Sequence, residues 1–207
     1  MNSQTQKITL HGEAGLIEAL RDEPEGAARG VAIVAHPHPL FGGTMDNKVV
    51  QTLARALVQC GWSVVRFNFR GVGASQGDHD AGAGEARDFL RVVEQVAPTG
   101  VLAIAGFSFG SFVASHALAA LQSQRAIEKI VFVGTAAQRF HVAPVATELH
   151  DKTLIVHGEH DDTVSLSSVM DWARPQSLPV TVVPGGGHFF HGQLPLLKSL
   201  VVRHLQG

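Results

Sequence analysis

Apolar and polar positions along the chain switch between two rhythms. Gln6–Leu10 and Gly15–Leu20 read as short strands around His11-Gly12, an opening antiparallel pair. Val31–Ala35 is continuously apolar, and Val101–Ala105 has the β-branched, apolar character of a strand buried on both faces. Ser63–Phe67, Lys129–Val133, Thr153–His157 and Val180–Val183 are further strand-like runs. Between them the spacing turns helical. Val50, Leu53, Ala54, Leu57 and Val58 predict a helix over Asn47–Gln59, stopped by Gly61. Ala86, Phe89, Leu90 and Val93 predict one over Gly84–Val96, ended by Pro98, and Phe112, Val113, Leu118 and Leu121 one over Phe109–Leu121. Leu166–Ala173, with Ser165 as its cap, and Leu194–Leu205, with Pro195 in its first turn, complete the set. Asp22–Gly30 reads as a polar turn and Gly134–Lys152 as an irregular stretch. Strands alternating with helices imply a mostly parallel sheet covered on both faces. No linker, repeat or low-complexity segment divides it, so residues 1–207 are expected to form one domain.

Composition narrows the function. A net charge of −2 provides no basic field for nucleic acid. No apolar run reaches membrane-spanning length, and the polar N-terminus lacks the apolar core of a signal peptide. A single cysteine, Cys60, excludes an internal disulfide and suits a reducing compartment. It reads as a buried structural thiol. These features together point to a cytoplasmic protein that binds neither nucleic acid nor membrane. Oligomeric state is not legible.

The candidate chemistry lies in loops that directly follow strands, where open α/β sheets bind ligands. Gly106-Phe107-Ser108-Phe109-Gly110 stands between a strand and a helix, the context that gives G-x-S-x-G its meaning. Such a turn holds its serine in a strained backbone conformation at a helix N-terminus, where unpaired N–H groups favour negative charge. A serine hydroxyl is a weak nucleophile and needs a base in contact, itself oriented by a carboxylate. The loop after Thr153–His157 offers Asp161 and Asp162. The loop after Val180–Val183 offers His188 behind three glycines, which leave it free to curl back over the turn. The order Ser, Asp, His is that of one hydrolase class. Of the donors needed for a developing oxyanion, Phe109 N–H is one. In His36–Gly43, Pro37 and Pro39 have no N–H, which leaves His38, Leu40 and Phe41. His36 and His38 are two residues apart, with no third ligand pattern, so no metal site is expected. Gly71-Val72-Gly73 opens no helix and is not a dinucleotide fingerprint. No cofactor is implied.

HPHPLFGGTMDNK, RGVGASQG, GFSFG, HGEHDDTV and GGGHFFHG together resemble the α/β-hydrolase superfamily over nearly the whole chain. They are most similar to its small lidless branch of dienelactone-hydrolase-like and serine-peptidase-like esterases. Dienelactone hydrolases use a cysteine nucleophile where this chain has Ser108. The resemblance implies a three-layer fold with antiparallel N-terminal strands and no lid domain, because Gly134–Lys152 is too short for a helical lid. It implies Ser108, Asp161 and His188 as the catalytic residues. Asp161 fits the pattern Gly-Glu-x-Asp-x-x-Val, which leaves Asp162 to support the following turn and Glu159 to structure the loop. It implies Leu40 as the second oxyanion donor and Arg70 as an organiser of its own loop. His36 reads as a buried hydrogen-bonding residue, and His160 and His191 as surface or rim residues. Phe41, Phe107, Phe140 and Phe189 are candidates for an apolar acyl pocket. The expected activity is carboxylester hydrolysis on small to medium soluble esters. Thioester hydrolysis or acyl transfer would use the same three residues, and a hydrolase-fold binding protein without turnover is the non-enzymatic alternative.

Overall fold

The strand-like runs assemble into one eight-stranded sheet. In a computed structural model, which describes residues 5–207, the strands are β1 (Gln6–Gly12), β2 (Gly15–Asp22), β3 (Val31–Ala35), β4 (Ser63–Phe67), β5 (Leu102–Phe107), β6 (Ile127–Val133), β7 (Thr153–Gly158) and β8 (Val180–Val183). Their spatial order is β1-β2-β4-β3-β5-β6-β7-β8. β1 and β2 pair antiparallel, β2 runs antiparallel to β4, and β3 to β8 are parallel. The opening hairpin turns at Glu13-Ala14, two residues beyond the expected His11-Gly12, because Gly12 pairs with Gly15 and His11 with Leu16. Gly15, at φ 121°, supplies the backbone freedom that closes this turn.

The helices are α1 (Lys48–Gln59), α2 (Ala83–Val96), α3 (Phe109–Leu121), α4 (Leu166–Ala173) and α5 (Leu194–Gln206). Successive strand residues point to opposite faces, so β3 sends Ala32 and Val34 to one core and Ile33 and Ala35 to the other. α1 and α5 cover the first face with Leu53, Leu57, Leu197 and Val201. α2, α3 and α4 cover the second with Phe89, Val93, Val113 and Val169. Local chemistry fixes the helix starts: Asn47 accepts from Val49 N–H (2.9 Å), and Ser165 from Ser168 N–H (3.3 Å).

Gly134–Lys152 contains only a short 3-10 turn, Thr147–Lys152. Val142, Ala143, Val145 and Leu149 are buried, and Ala143 N–H bonds the Ser115 hydroxyl of α3 at 3.0 Å. The segment is strapped to the body of the protein and forms no lid.

Two glycines let α3 approach β5 and the end of β3. A methyl group on Gly106 would lie 2.5 Å from the Gly110 carbonyl oxygen, and one on Gly110 2.4 Å from that of Ala35. Ser108 therefore stands beside the C-terminal end of β3, facing the loop that follows it.

Candidate active site

Ser108 sits between β5 and α3 at φ 56° and ψ −119°. A serine with positive φ stores strain of about 1–3 kcal/mol, which the surroundings must hold. They do so from three sides. Ser108 N–H bonds the Val133 carbonyl at the end of β6 (2.8 Å), the Ser108 carbonyl accepts from Ser111 N–H (2.9 Å), and the Ser111 hydroxyl donates to the Gly106 carbonyl (2.8 Å).

The loops after β7 and β8 are joined to each other. His160 N–H bonds the Gly186 carbonyl at 2.8 Å, and the Glu159 carboxylate accepts from Gly185 N–H at 2.8 Å. This joint carries His188 back over the serine. His188 Nε2 lies 3.0 Å from Ser108 Oγ, and Nδ1 lies 2.7 Å from Asp161 Oδ2. The carboxylate can only accept, so Nδ1 carries the proton and Nε2 is left to accept from the serine hydroxyl. Asp161 Oδ1 accepts from Thr163 N–H (2.9 Å) and Val164 N–H (2.7 Å). Burial alone would raise the Asp161 carboxyl. The hydrogen bond and charge of His188, with the amides of Val164 and Thr163, outweigh it and hold the group below the ordinary carboxylate range. The His188 ring lies over Phe107, centroids 4.9 Å apart, and a methyl on Gly134 would come within 3.2 Å of both rings.

Around this series is a cleft of about 440 Å3. One wall is the loop after β3, with Pro37, His38, Phe41, Gly42 and Gly43. The other brings Arg139, Asp162, Thr163, His188 and Phe189 from the loops after β6, β7 and β8. A hollow of about 400 Å3 around Asp22, Arg55, Arg66 and Lys198 shares none of these residues.

A family model for an alpha/beta hydrolase domain matches residues 29–195. The chain belongs to the alpha/beta hydrolase family. This hydrolase is 32% identical over 207 residues to an uncharacterized protein of Rickettsia prowazekii (strain Madrid E), covering 89% of this chain and 82% of the relative. It is also similar to a Xanthomonas campestris a/b serine hydrolase described as without lid. That match has 34% identity and a TM-score of 0.86, over 100% of this chain and 95% of the other. An alpha-beta serine hydrolase homologue from Coxiella burnetii matches at 37% identity and a TM-score of 0.81, covering 97% of each chain.

Several residues expected at the hydrolase site fall elsewhere. Leu40 N–H donates to His38 Nδ1 at 3.2 Å, so it is not free for an oxyanion, and the Leu40 side chain points to solvent outside the cleft. The tight 3-10 turn Pro39–Phe41 imposes this bond. Among the described residues His38 N–H has no backbone acceptor, and Phe109 N–H, first in α3, has no partner within the helix. Of the four pocket phenylalanines, Phe41 and Phe189 line the cleft. Phe107 is fully buried beneath His188 because it is the last residue of a central strand. Phe140 stacks on Phe112, centroids 4.8 Å apart, in an aromatic cluster with Phe109 and His38. Asp162 is exposed, and among the described residues its side chain bonds the Thr163 hydroxyl alone (3.3 Å); the turn it was expected to support is held by Asp161 Oδ1. His160 and His191 are exposed, and neither lines the cleft.

His36 is buried and bridges two loops, with Nδ1–H to the Pro37 carbonyl (2.6 Å) and Nε2 accepting from Phe69 N–H (2.9 Å). Both ring nitrogens are thereby engaged with peptide groups. Among the described residues no group of three or more potential ligands surrounds a metal position. Arg70 holds Asp88 at 2.7 Å. Cys60 is half-buried, and burial pushes its thiol up.

Reading the sequence alone also passed over supporting residues. His157, fully buried under Asp161, donates from Nε2 to the Val164 carbonyl at 2.9 Å and so steadies the Asp161 loop. Arg66 and Asn68 grip Met45, through its carbonyl (2.9 Å) and its N–H (2.9 Å), and fix the far end of the cleft loop. His157 is the first residue of the HGEHDDTV motif, which was a usable signal. Arg66 carries its charge within an otherwise apolar strand, which was another.

Proposed function

We propose that this protein is a serine carboxylesterase that cleaves small to medium soluble esters through an acyl-enzyme on Ser108. The observation that carries the reading is the unbroken series Ser108–His188–Asp161, at 3.0 and 2.7 Å, on a strained turn that opens into a cleft. In this scheme His188 Nε2 takes the hydroxyl proton while Ser108 Oγ bonds to the ester carbonyl carbon. The carbonyl oxygen becomes an oxyanion held by Phe109 N–H and by His38 N–H, which replaces Leu40 as the second donor. The imidazolium then protonates the departing alcohol as the carbon–oxygen bond breaks. Water enters, His188 takes its proton, and the acid leaves as Ser108 recovers its hydrogen. Asp161 stays ionised and stabilises the imidazolium throughout. Phe41 and Phe189, both exposed in the cleft, offer apolar surface to the acyl chain. The single free thiol fits a cytoplasmic setting.

A fluorophosphonate read by intact mass tests the reading. One adduct is expected on the wild type and none on Ser108→Ala. Esterase turnover should fall at least about 10³-fold in Ser108→Ala and roughly 10³–10⁴-fold in Asp161→Asn. No adduct on the wild type would point to ligand binding without chemistry. Full activity in Asp161→Asn would remove Asp161 as the acid. Matched ester, thioester and amide substrates decide which acyl bond is preferred.

A further inference from the structure

Two charged side chains in the cleft have no part in the acyl-enzyme scheme. Arg139, in the turn after β6, is exposed and lines the cleft with Ser108 and His188. Among the described residues its guanidinium makes no ion pair and no side-chain hydrogen bond. Elsewhere in the molecule Arg66 holds Asp22, Arg70 holds Asp88 and Arg87 holds Glu13. Asp162 shares the cleft, yet no ion pair joins it to Arg139 or to any other basic group among the described residues. The field of Arg139 also reaches the opposite wall. His38 is held below the ordinary imidazole value chiefly by burial, then by His79, with Arg139 acting in the same direction. Asp161, the carboxylate beside His188, is already matched by that ring and two amides. The cleft thus combines apolar surface from Phe41 and Phe189 with one uncommitted guanidinium.

We propose that Arg139 is a specificity residue that selects esters carrying a carboxylate some distance from the scissile bond. A guanidinium presents a planar fork that matches a carboxylate with two parallel hydrogen bonds. Asp162 opposes it and limits the site to singly charged substrates. The assignment rests on the esterase reading, and the test separates the two.

The probes are matched pairs: 4-nitrophenyl hydrogen glutarate against 4-nitrophenyl pentanoate, and 3-carboxyphenyl butyrate against phenyl butyrate. The first pair places the charge on the acyl side and the second on the alcohol side. For each pair the ratio of kcat/KM, anionic over neutral, is compared across variants. In at least one pair Arg139→Gln should lower the ratio about tenfold. Arg139→Lys, which keeps the charge without the fork, should recover part of that loss, and Asp162→Asn should raise the ratio. Ratios unmoved by Arg139→Gln in both pairs would overturn the proposal and leave the esterase reading intact. Should no ester be turned over, the esterase reading falls, and calorimetry with the amide isostere glutaric monoanilide decides the rest. Binding to the wild type that weakens about tenfold in Arg139→Gln sustains an anion-selective cleft, and no binding ends it.

Discussion

His36 uses both ring nitrogens on peptide groups, one in its own loop and one at Phe69, deep under the cleft wall. Burial pushes its pKa down to about 4, although the Pro37 carbonyl favours the charged ring. The unfolded chain protonates the same ring near pH 6.5. The folded state therefore binds fewer protons between those values, and stability must fall as pH falls. The contribution is complete above about pH 6.5 and is lost on the way down to about pH 4, roughly 3 kcal/mol in all. In urea unfolding, the wild type should lose about 2–3 kcal/mol more than His36→Gln between pH 7 and pH 4.5, since other titrating groups are common to both. Equal losses would show that His36 is not held neutral. At this scale the sequence was informative where a residue type had one use. Ser108 on its turn and His188 behind glycines meet at 3.0 Å, a juxtaposition legible from the strand–turn–helix context and the loop after the last strand. The place of Leu40 was not legible, because the competing bond to His38 depends on how a 3-10 turn folds, and spacing does not reveal which N–H a neighbouring side chain has taken. Asp162 was misread for a related reason. Asp161 reaches both His188 and the turn amides with its two oxygens, and two adjacent carboxylates look alike until their directions are known.

The elements were legible because each carries its own period and its own stops. All eight strands and five longer helices lie where the apolar spacing puts them, with ends moved by one or two residues. What spacing does not carry is strand order. β4 sits between β2 and β3, a crossover decided by helix packing on both faces. The crossing of β5 and α3 is the most exacting contact in this framework, because backbone meets backbone there. A methyl at position 106 would meet the Gly110 carbonyl, and no flexible side chain can give way. Gly106→Ala should cost about 2 kcal/mol or more, seen as a lowered thermal midpoint. It should also slow fluorophosphonate labelling of Ser108 in protein that remains folded. Unchanged midpoint and labelling would mean that the turn tolerates a wider crossing than its geometry indicates.

At the scale of the whole molecule, the cleft is bounded by short loops and is covered by none of them. Gly134–Lys152, the segment that could have become a lid, is packed down through Leu149 and Ala143. With no cover to displace, an esterase of this form gains nothing from a lipid surface. Initial rates on a long-chain ester should pass through its solubility limit without a jump. A steep rise there would call for a moving element that the fold does not contain.

The opening hairpin lies outside residues 29–195, the stretch that the family model matches, yet two of its acidic residues bear on the cleft. Asp22 bonds Arg66 through one oxygen at 3.2 and 3.1 Å, Glu18 bonds Asn68 at 2.8 Å, and Arg66 and Asn68 are the residues that hold Met45. Stripping one partner from a buried ion pair commonly costs about 3–5 kcal/mol. A fragment trimmed to residues 29–195 would keep Ser108, Asp161 and His188 and lose the brace behind one wall of the cleft. The span of the family match and the mechanical boundary of the domain are therefore different lines, and engineering that grafts or shortens this protein should follow the second.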